Sequence, residues 1–361
     1  MVNHVYIHIP FCLKKCNYCS FCSFNLLKKK DEYIEALIKE INHFYKKEKI
    51  KTLYFGGGTP SLLEADDIKK IADCFNFEDD FEFSLEVNPF NIDEKKLKQF
   101  KDISINRLSV GVQSFNDEIL KNIGRLHTKN DIFKTLKTIR HVDFDNVSID
   151  LMYGLPSQDL DDWINTLNIA NSLDVEHISL YGLKIEDGTY FKKHPPKDLP
   201  NDDMQAIMYE KAIEILKEKY IHYEFSSFAK DENHFSKHNL CYWKKASYYG
   251  FGLSASGYVN NMRYTNTFNY KDYIQNPIDK DFSTLSKQEN IEEEIFLGLR
   301  FYRGINFKEI DEKYRVDIYK MYKKVVDRFI KSGHIERTDG GIKLTLKGVM
   351  VSNEILCEFL S

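Results

Sequence analysis

The stretch HVYIHIPFCLKKCNYCSFC, residues 4–22, joins a β-rich run to four cysteines, Cys12, Cys16, Cys19 and Cys22, packed into eleven residues. From Cys12 to Cys19 the spacing is CxxxCxxC, placed directly after the first expected strand. Three thiolates on one short loop can converge on three irons of a cubane cluster and leave the fourth iron open to an external ligand. A zinc site favours paired CxxC elements or added histidines at fixed spacings, and these are missing. Cys22 leaves an alternative open, because Cys19-Ser-Phe-Cys22 is itself CxxC. A fourth thiolate would close the cluster and restrict it to passing electrons. Cys74, Cys241 and Cys357 stand alone, so the seven cysteines read as metal or redox chemistry in a reducing compartment before they read as disulfides.

Working outward, β-rich runs near 4–9, 52–55, 81–87, 105–112, 146–151 and 176–182 alternate with helical stretches. In the first of these, Ile34, Leu37, Ile38, Ile41 and Phe44 recur at helical spacing behind the N-cap candidate Asp31; others fall near 61–75, 92–100, 115–140, 158–173 and 203–219. Six strand-helix units in series predict an α/β fold with parallel strands and right-handed crossovers, its site at the strands' C-terminal ends. The expected organisation is a core over 1–220, an aromatic, Asn- and Ser-rich connecting segment over 221–284, and a small domain over 285–361. In that last part helices precede a hairpin at 334–346 turned at Gly340-Gly341, which suggests a helical, winged-helix-like unit.

The 361 residues carry 51 Lys plus Arg against 55 Asp plus Glu, a net charge of -4. No bulk attraction to nucleic acid follows. Residues 291–361 hold 13 basic and 12 acidic side chains, a net of +1, so the winged-helix-like part gives no support to a DNA partner. No apolar run approaches the roughly 18 residues of a membrane span, and the first residues lack a basic and apolar leader pattern. A soluble cytoplasmic protein is expected.

With Tyr18 before the third cysteine, CxxxCxxC resembles the signature of the radical S-adenosylmethionine (SAM) superfamily. The resemblance implies a partial (β/α)6 TIM-like barrel and a 4Fe-4S cluster on Cys12, Cys16 and Cys19. It also implies SAM chelated to the open iron by its amino and carboxylate groups and cleaved by an electron to a 5'-deoxyadenosyl radical. A zwitterionic head needs acceptors for its ammonium and a cation for its carboxylate, and the ribose needs a carboxylate or amide. The candidates are Gly57, Gly58 and Thr59 of FGGGTPS, Glu86 of SLEVNP, Gln113 of SVGVQSF, Arg125 of GRLHT and Asp150 of SIDLMYGLP, with Tyr6 and Tyr18. Each alone could be a surface charge or strand cap. Several polar residues ending successive strands of one barrel are delivered to one mouth.

YIHIPFC, FGGGTPS, EVNP, RLSVGVQSF and IDLMYGLP together resemble the oxygen-independent coproporphyrinogen oxidase group, and the C-terminal region resembles that group's small helical domain. The group holds an oxidase, which decarboxylates porphyrinogen propionates, and a heme-carrying chaperone branch. The oxidase pattern reads CxxxCxxCxC, whereas Phe21 stands two places after Cys19 here, and the oxidase carries an extension ahead of the residues matching Tyr6 and His8. His238-Asn239-Leu240-Cys241-Tyr242-Trp243 fits HNxxYW, which resembles the chaperone's heme-associated motif. A His can ligate heme iron while Tyr and Trp stack on the ring, and Cys241 is a rival ligand; the plain alternative is a packed aromatic corner. The resemblance therefore implies a heme chaperone holding cluster, SAM and heme and passing heme to an acceptor protein. It leaves room for peripheral contact with membrane-bound acceptors and for a homodimer. The alternatives are the oxidase itself and an electron-transfer protein whose cluster uses Cys22.

Overall fold

A computed structural model describes residues 2–360. All six β-rich runs are strands: β1 (His4–Ile9), β2 (Lys49–Gly57), β3 (Asn76–Val87), β4 (Arg107–Gln113), β5 (Val147–Tyr153) and β6 (His177–Gly182). They pair in sequence order and all in parallel, forming the core of a partial barrel. The strands alternate strictly. Val5, Ile7, Leu53, Phe55, Leu85, Leu108, Val110, Ile149 and Ile178 pack outward into the main hydrophobic core with the helices. The intervening positions, among them His4, Tyr6, Thr52, Tyr54, Ser84, Glu86, Ser109, Ser148, Asp150 and His177, share the opposite face in register. A period of two places those polar side chains inside the barrel.

The segment 221–284 supplies both edges of the sheet. β7 (Ile221–Glu224) and β8 (Ser227–Ala229) form an antiparallel ribbon beside β6. β9 (Tyr248–Phe251) lies parallel to β1, and β10 (Ser256–Val259), β11 (Met262–Asn266) and β12 (Lys280–Thr284) continue outward antiparallel. Among the described residues this sheet has twelve strands. A fully buried ion pair braces the β9 edge: Lys280 Nζ lies 2.5 Å from Glu40 Oε1 on the first helix, both side chains being wholly inaccessible. Glu40 also accepts from Asn266 Nδ2 (2.8 Å), the Gly252 amide (2.9 Å) and the Tyr273 hydroxyl (2.6 Å).

Two helix expectations need correction. The first helix is Lys30–Phe44, with Lys29 at the N-cap and no side-chain cap. A 3-10 turn, Leu27–Lys29, runs straight into it, so Asp31 is already helical and cannot cap; it instead places a carboxylate in the first turn, where the helix dipole favours it. The stretch 115–140 is two helices, Asp117–Asn122 and Lys129–His141, each with its own side-chain cap, at Asn116 and Thr128. Gly124, at φ +80°, turns the chain between them and frees residues 123–127.

After the helix Lys287–Gly298, a second core builds the C-terminal unit from Ile291, Ile295, Ile310, Ile318, Val326, Ile335 and Ile342. Its three-stranded sheet orders β13 (Ile305–Asn306), β15 (Gly341–Leu344) and β14 (Ile335–Thr338) around the helices Phe307–Tyr314 and Ile318–Lys331, the winged-helix arrangement. Among the described residues no helix is long and apolar enough to cross a membrane.

Candidate functional site

The C-terminal ends of β1 to β6 open into one cavity of about 500 Å³. Cys12, Cys16, Cys19, Tyr18, Gly57, Gly58, Thr59, Glu86, Gln113, Arg125 and Asp150 all line it. Tyr6 and His238 do not.

The cysteine loop leaves β1 at Pro10 and is closed at its root by the Phe24 amide donating to Pro10 O (2.7 Å) and the Cys12 amide to Phe24 O (3.0 Å). Asn17 ties its tip to the break between the two helices, donating from its amide to Ile123 O (3.0 Å) and from Nδ2 to Asn122 O (2.8 Å). Cys12 Sγ contacts Thr59 Oγ1 at 3.5 Å, and Arg125 Nη1 donates to Cys16 Sγ at 3.7 Å. Burial pushes the Cys19 thiol up to about 11. Cys22 points elsewhere, its Sγ donating to Phe268 O at 3.7 Å.

β2 ends in glycines because the cysteine loop lies against it. A Cβ on Gly58 would sit 2.6 Å from Phe11 O and 2.9 Å from Ile9 O, both backbone atoms; one on Gly57, at φ +109°, would meet the His8 ring at 2.6 Å. Glu86 reaches the cavity from β3, accepting from Tyr54 Oη (2.9 Å) and the Gly57 amide (3.1 Å). Asp150 follows from β5, with Ser109 Oγ 3.2 Å from each carboxylate oxygen. Burial in the barrel pushes Glu86 up to about 7, the charge of Asp150 adding to the rise and the two hydrogen bonds opposing it. Burial likewise pushes Asp150 up to about 6 against hydrogen bonds from Ser179 and Ser109. Two carboxyl groups sharing one cavity thus favour holding a proton or a cation between them.

Arg125 enters from the helix break and is clamped by Asn88 Oδ1 and Gly111 O. Gln113 ends β4 at φ +70°, a left-handed conformation that a non-glycine residue adopts at a cost. Asn88, Ser109, Gly111 and Tyr181 also line the cavity and were not among the sequence candidates. Asn88 joins Arg125 to Thr59, donating from Nδ2 to Thr59 Oγ1 at 2.9 Å. A Cβ on Gly111 would meet Arg125 Nη2 at 2.9 Å, so this glycine makes room for the guanidinium. The inward alternation of β3 to β6 was the signal that could have found Ser109 and Tyr181.

His238 lies at the opposite end of the barrel. The helix Lys237–Trp243 closes the floor, its first amides, Lys237 N and His238 N, each donating to the Glu82 carboxylate at 3.0 Å. The His238 ring is 1% exposed and uses both nitrogens, Nδ1 with Thr52 Oγ1 (2.8 Å) and Nε2 with Tyr242 Oη (2.8 Å). It stacks on Tyr54, ring centroids 5.0 Å apart. Tyr6 packs beside both rings and bonds His8 Nδ1 at 3.1 Å.

Residues 6–170 match the Radical SAM superfamily, and residues 285–351 match the HemN C-terminal domain. The heme chaperone HemW of Bacillus subtilis (strain 168) is 39% identical, the match covering 98% of this chain and 98% of that protein. The chain belongs to the HemW family. HemW of Lactococcus lactis subsp. lactis (strain IL1403) is 36% identical across 99% of the chain and 97% of its own length. Among solved structures, coproporphyrinogen III oxidase (HemN) from Escherichia coli, described as a radical SAM enzyme, superposes with a TM-score of 0.88 at 25% identity, covering 99% of this chain and 90% of its own. The chain therefore shares the architecture of the HemN structure, and membership of the superfamily implies a 4Fe-4S cluster and SAM.

Proposed function

We propose that the chain is a cytoplasmic heme chaperone that holds a 4Fe-4S cluster on Cys12, Cys16 and Cys19, binds SAM at the barrel mouth, and carries heme to an acceptor protein. The observation that carries this reading is the donor set of the mouth: three half-buried thiols, a clamped guanidinium beside one of them, and two half-buried carboxyls lining the same cavity, with Cys22 turned away. That set fits the group chemically. Thiols suit iron, Glu86 suits an ammonium, and Asp150 with Ser109 suits ribose hydroxyls. When bound, the cluster supplies a redox centre with one iron free to hold an amino acid head group. Arg125 places a positive charge beside Cys16. Thr59 and Asn88 hold Cys12 and Arg125 in one hydrogen-bonded chain. His238 can serve as a heme contact only after leaving its seat, since Thr52 and Tyr242 occupy both ring nitrogens.

The test is anaerobic reconstitution with iron and sulfide, followed by heme titration with and without SAM and transfer to an apo heme protein. One cluster per chain, saturable heme binding and transfer without coproporphyrinogen turnover are expected. Decarboxylation of coproporphyrinogen under SAM and reductant would overturn the chaperone reading.

A further inference from the structure

At the seam between the barrel and the C-terminal unit lies an arginine whose buried Nε has no acceptor among the described residues. Arg300 is held among three rings, its guanidinium carbon 4.7 Å from the centroid of Phe296, 5.4 Å from Phe225 and 5.6 Å from Trp243. Its Nε is buried and makes no hydrogen bond, and among the described residues no carboxylate lies within ion-pair distance of it, the charge of Glu224 acting on it from farther off. The Trp243 indole Nε1 beside it is also buried without a partner. Burial of a donor without an acceptor is costly, so two in one cluster call for an explanation.

Arg300 faces a cavity of about 290 Å³ walled by Ile213, Leu299, Leu344 and Val349, with Lys343 also on its lining. Glu224 lines it too, but spends an oxygen on the Ser226 amide (3.1 Å) and lies beyond ion-pair distance of Arg300. The seam is fixed by the Tyr302 amide donating to Tyr223 O (2.8 Å), so the cavity is built by both units together. A planar guanidinium offers paired donors that match a carboxylate. A free phosphate would leave its remaining oxygens against aliphatic walls. A carboxylate on an apolar body satisfies both the cation and the walls.

We propose that Arg300 and its aromatic walls bind the carboxylate of an amphipathic ligand and, resting on the heme-carrying reading above, that this ligand is the propionate edge of the tetrapyrrole. The cavity admits an edge, and the rest of the macrocycle lies outside it. Trp243 is the last residue of HNxxYW. The motif therefore places its His in the barrel floor and its Trp against the arginine that faces this cavity, so it serves heme through the propionate side.

Two arms test this with the full-length chain and the variants Arg300→Met and Arg300→Lys. In the first, 3-phenylpropionate is titrated by calorimetry and by tryptophan emission, with 3-phenylpropionamide as the uncharged control; Trp163 is buried in the core, so Trp243 reports the site. The acid should bind the wild type at least about tenfold more tightly than Arg300→Met, with Arg300→Lys between, and the amide should not distinguish them. Equal binding of the acid to wild type and Arg300→Met, or no binding, overturns the carboxylate site. In the second arm, hemin and its dimethyl ester are titrated by Soret absorbance. Weakening by Arg300→Met for hemin but not for the ester assigns the tetrapyrrole as occupant. Hemin bound equally by both overturns that assignment while heme carriage stands; hemin bound by neither overturns heme carriage, and the first arm still decides the carboxylate site.

Discussion

Glu86→Gln should make the protein more stable above neutral pH and less able to hold its cofactor. In the folded chain the Glu86 carboxyl titrates near 7, against 4.5 for an ordinary glutamate, because it is buried and faces Asp150. A raised native pKa means that the folded state binds the proton more tightly, so the benefit is full below about pH 4.5 and is lost as pH rises through 7. The span of about 2.5 units corresponds to about 3 kcal/mol at most, water in the cavity screening part of it. Glutamine keeps an acceptor for Tyr54 but turns an amide toward the Gly57 N–H, costing about 1 kcal/mol at every pH. The variant should therefore be slightly less stable than wild type at pH 4.5, cross it a little above pH 5, and exceed it by about 2 kcal/mol at pH 8. Urea midpoints of the cluster-free protein at those pH values measure this directly. A difference between variant and wild type that does not change with pH would refute the electrostatic account. At pH 8 the same variant should bind SAM at least about tenfold more weakly, since an ammonium loses a charged partner.

Cys22→Ser should retain iron and sulfide, whereas Cys12→Ala, Cys16→Ala and Cys19→Ala should each lose the cluster while keeping wild-type far-ultraviolet circular dichroism; cluster loss in Cys22→Ser would return that thiol to the ligand set. Gly58→Ala drives a Cβ into two backbone carbonyls that cannot yield, so it should cost on the order of 2 kcal/mol and reduce iron per chain on reconstitution. Full iron content at unchanged stability would show that the loop root has slack. Lys280→Met leaves Glu40 buried without its cation and should cost about 3 to 5 kcal/mol, while Glu40→Gln with Lys280→Met recovers most of that loss. Strict additivity of the two single changes in urea unfolding would mean that the pair is not coupled.

The barrel was legible because its strands repeat one local pattern, and because most candidates at its mouth lie on the strands or in the turns after them, Arg125 excepted. What escaped was set by contacts distant in sequence. Residues 221–284 read as a connector, since their strands are short and aromatic, yet pairing of Tyr248–Phe251 with β1 and of Ser227–Ala229 with β6 makes them the sheet's two edges. No local signal foretells such partners. The helix over 115–140 failed for a different reason: apolar spacing continues across Gly124, but two caps and a positive φ win, and the break is what lets Arg125 enter the barrel. Gly111 and Asn88 are individually unremarkable in sequence and matter because Arg125 lands on them. Asp31 misled because a capping residue counts only if the chain before it is not already turning.

The polar interior connects the two ends of the molecule in one run of contacts. Glu86 at the mouth accepts from Tyr54, Tyr54 stacks on His238, His238 belongs to the floor helix, and that helix ends at Trp243 against Arg300. Contact continuity does not by itself establish coupling. Thermodynamic linkage nevertheless fixes what any coupling must obey: the factor by which SAM changes heme affinity equals the factor by which heme changes SAM affinity. Tyr54→Phe removes the hydroxyl joined to Glu86 while keeping a ring to stack on His238. If the interior carries the linkage, that change brings both factors toward one together. A Tyr54→Phe variant in which both factors keep their wild-type value would place the linkage outside the barrel, in the cysteine loop or the seam.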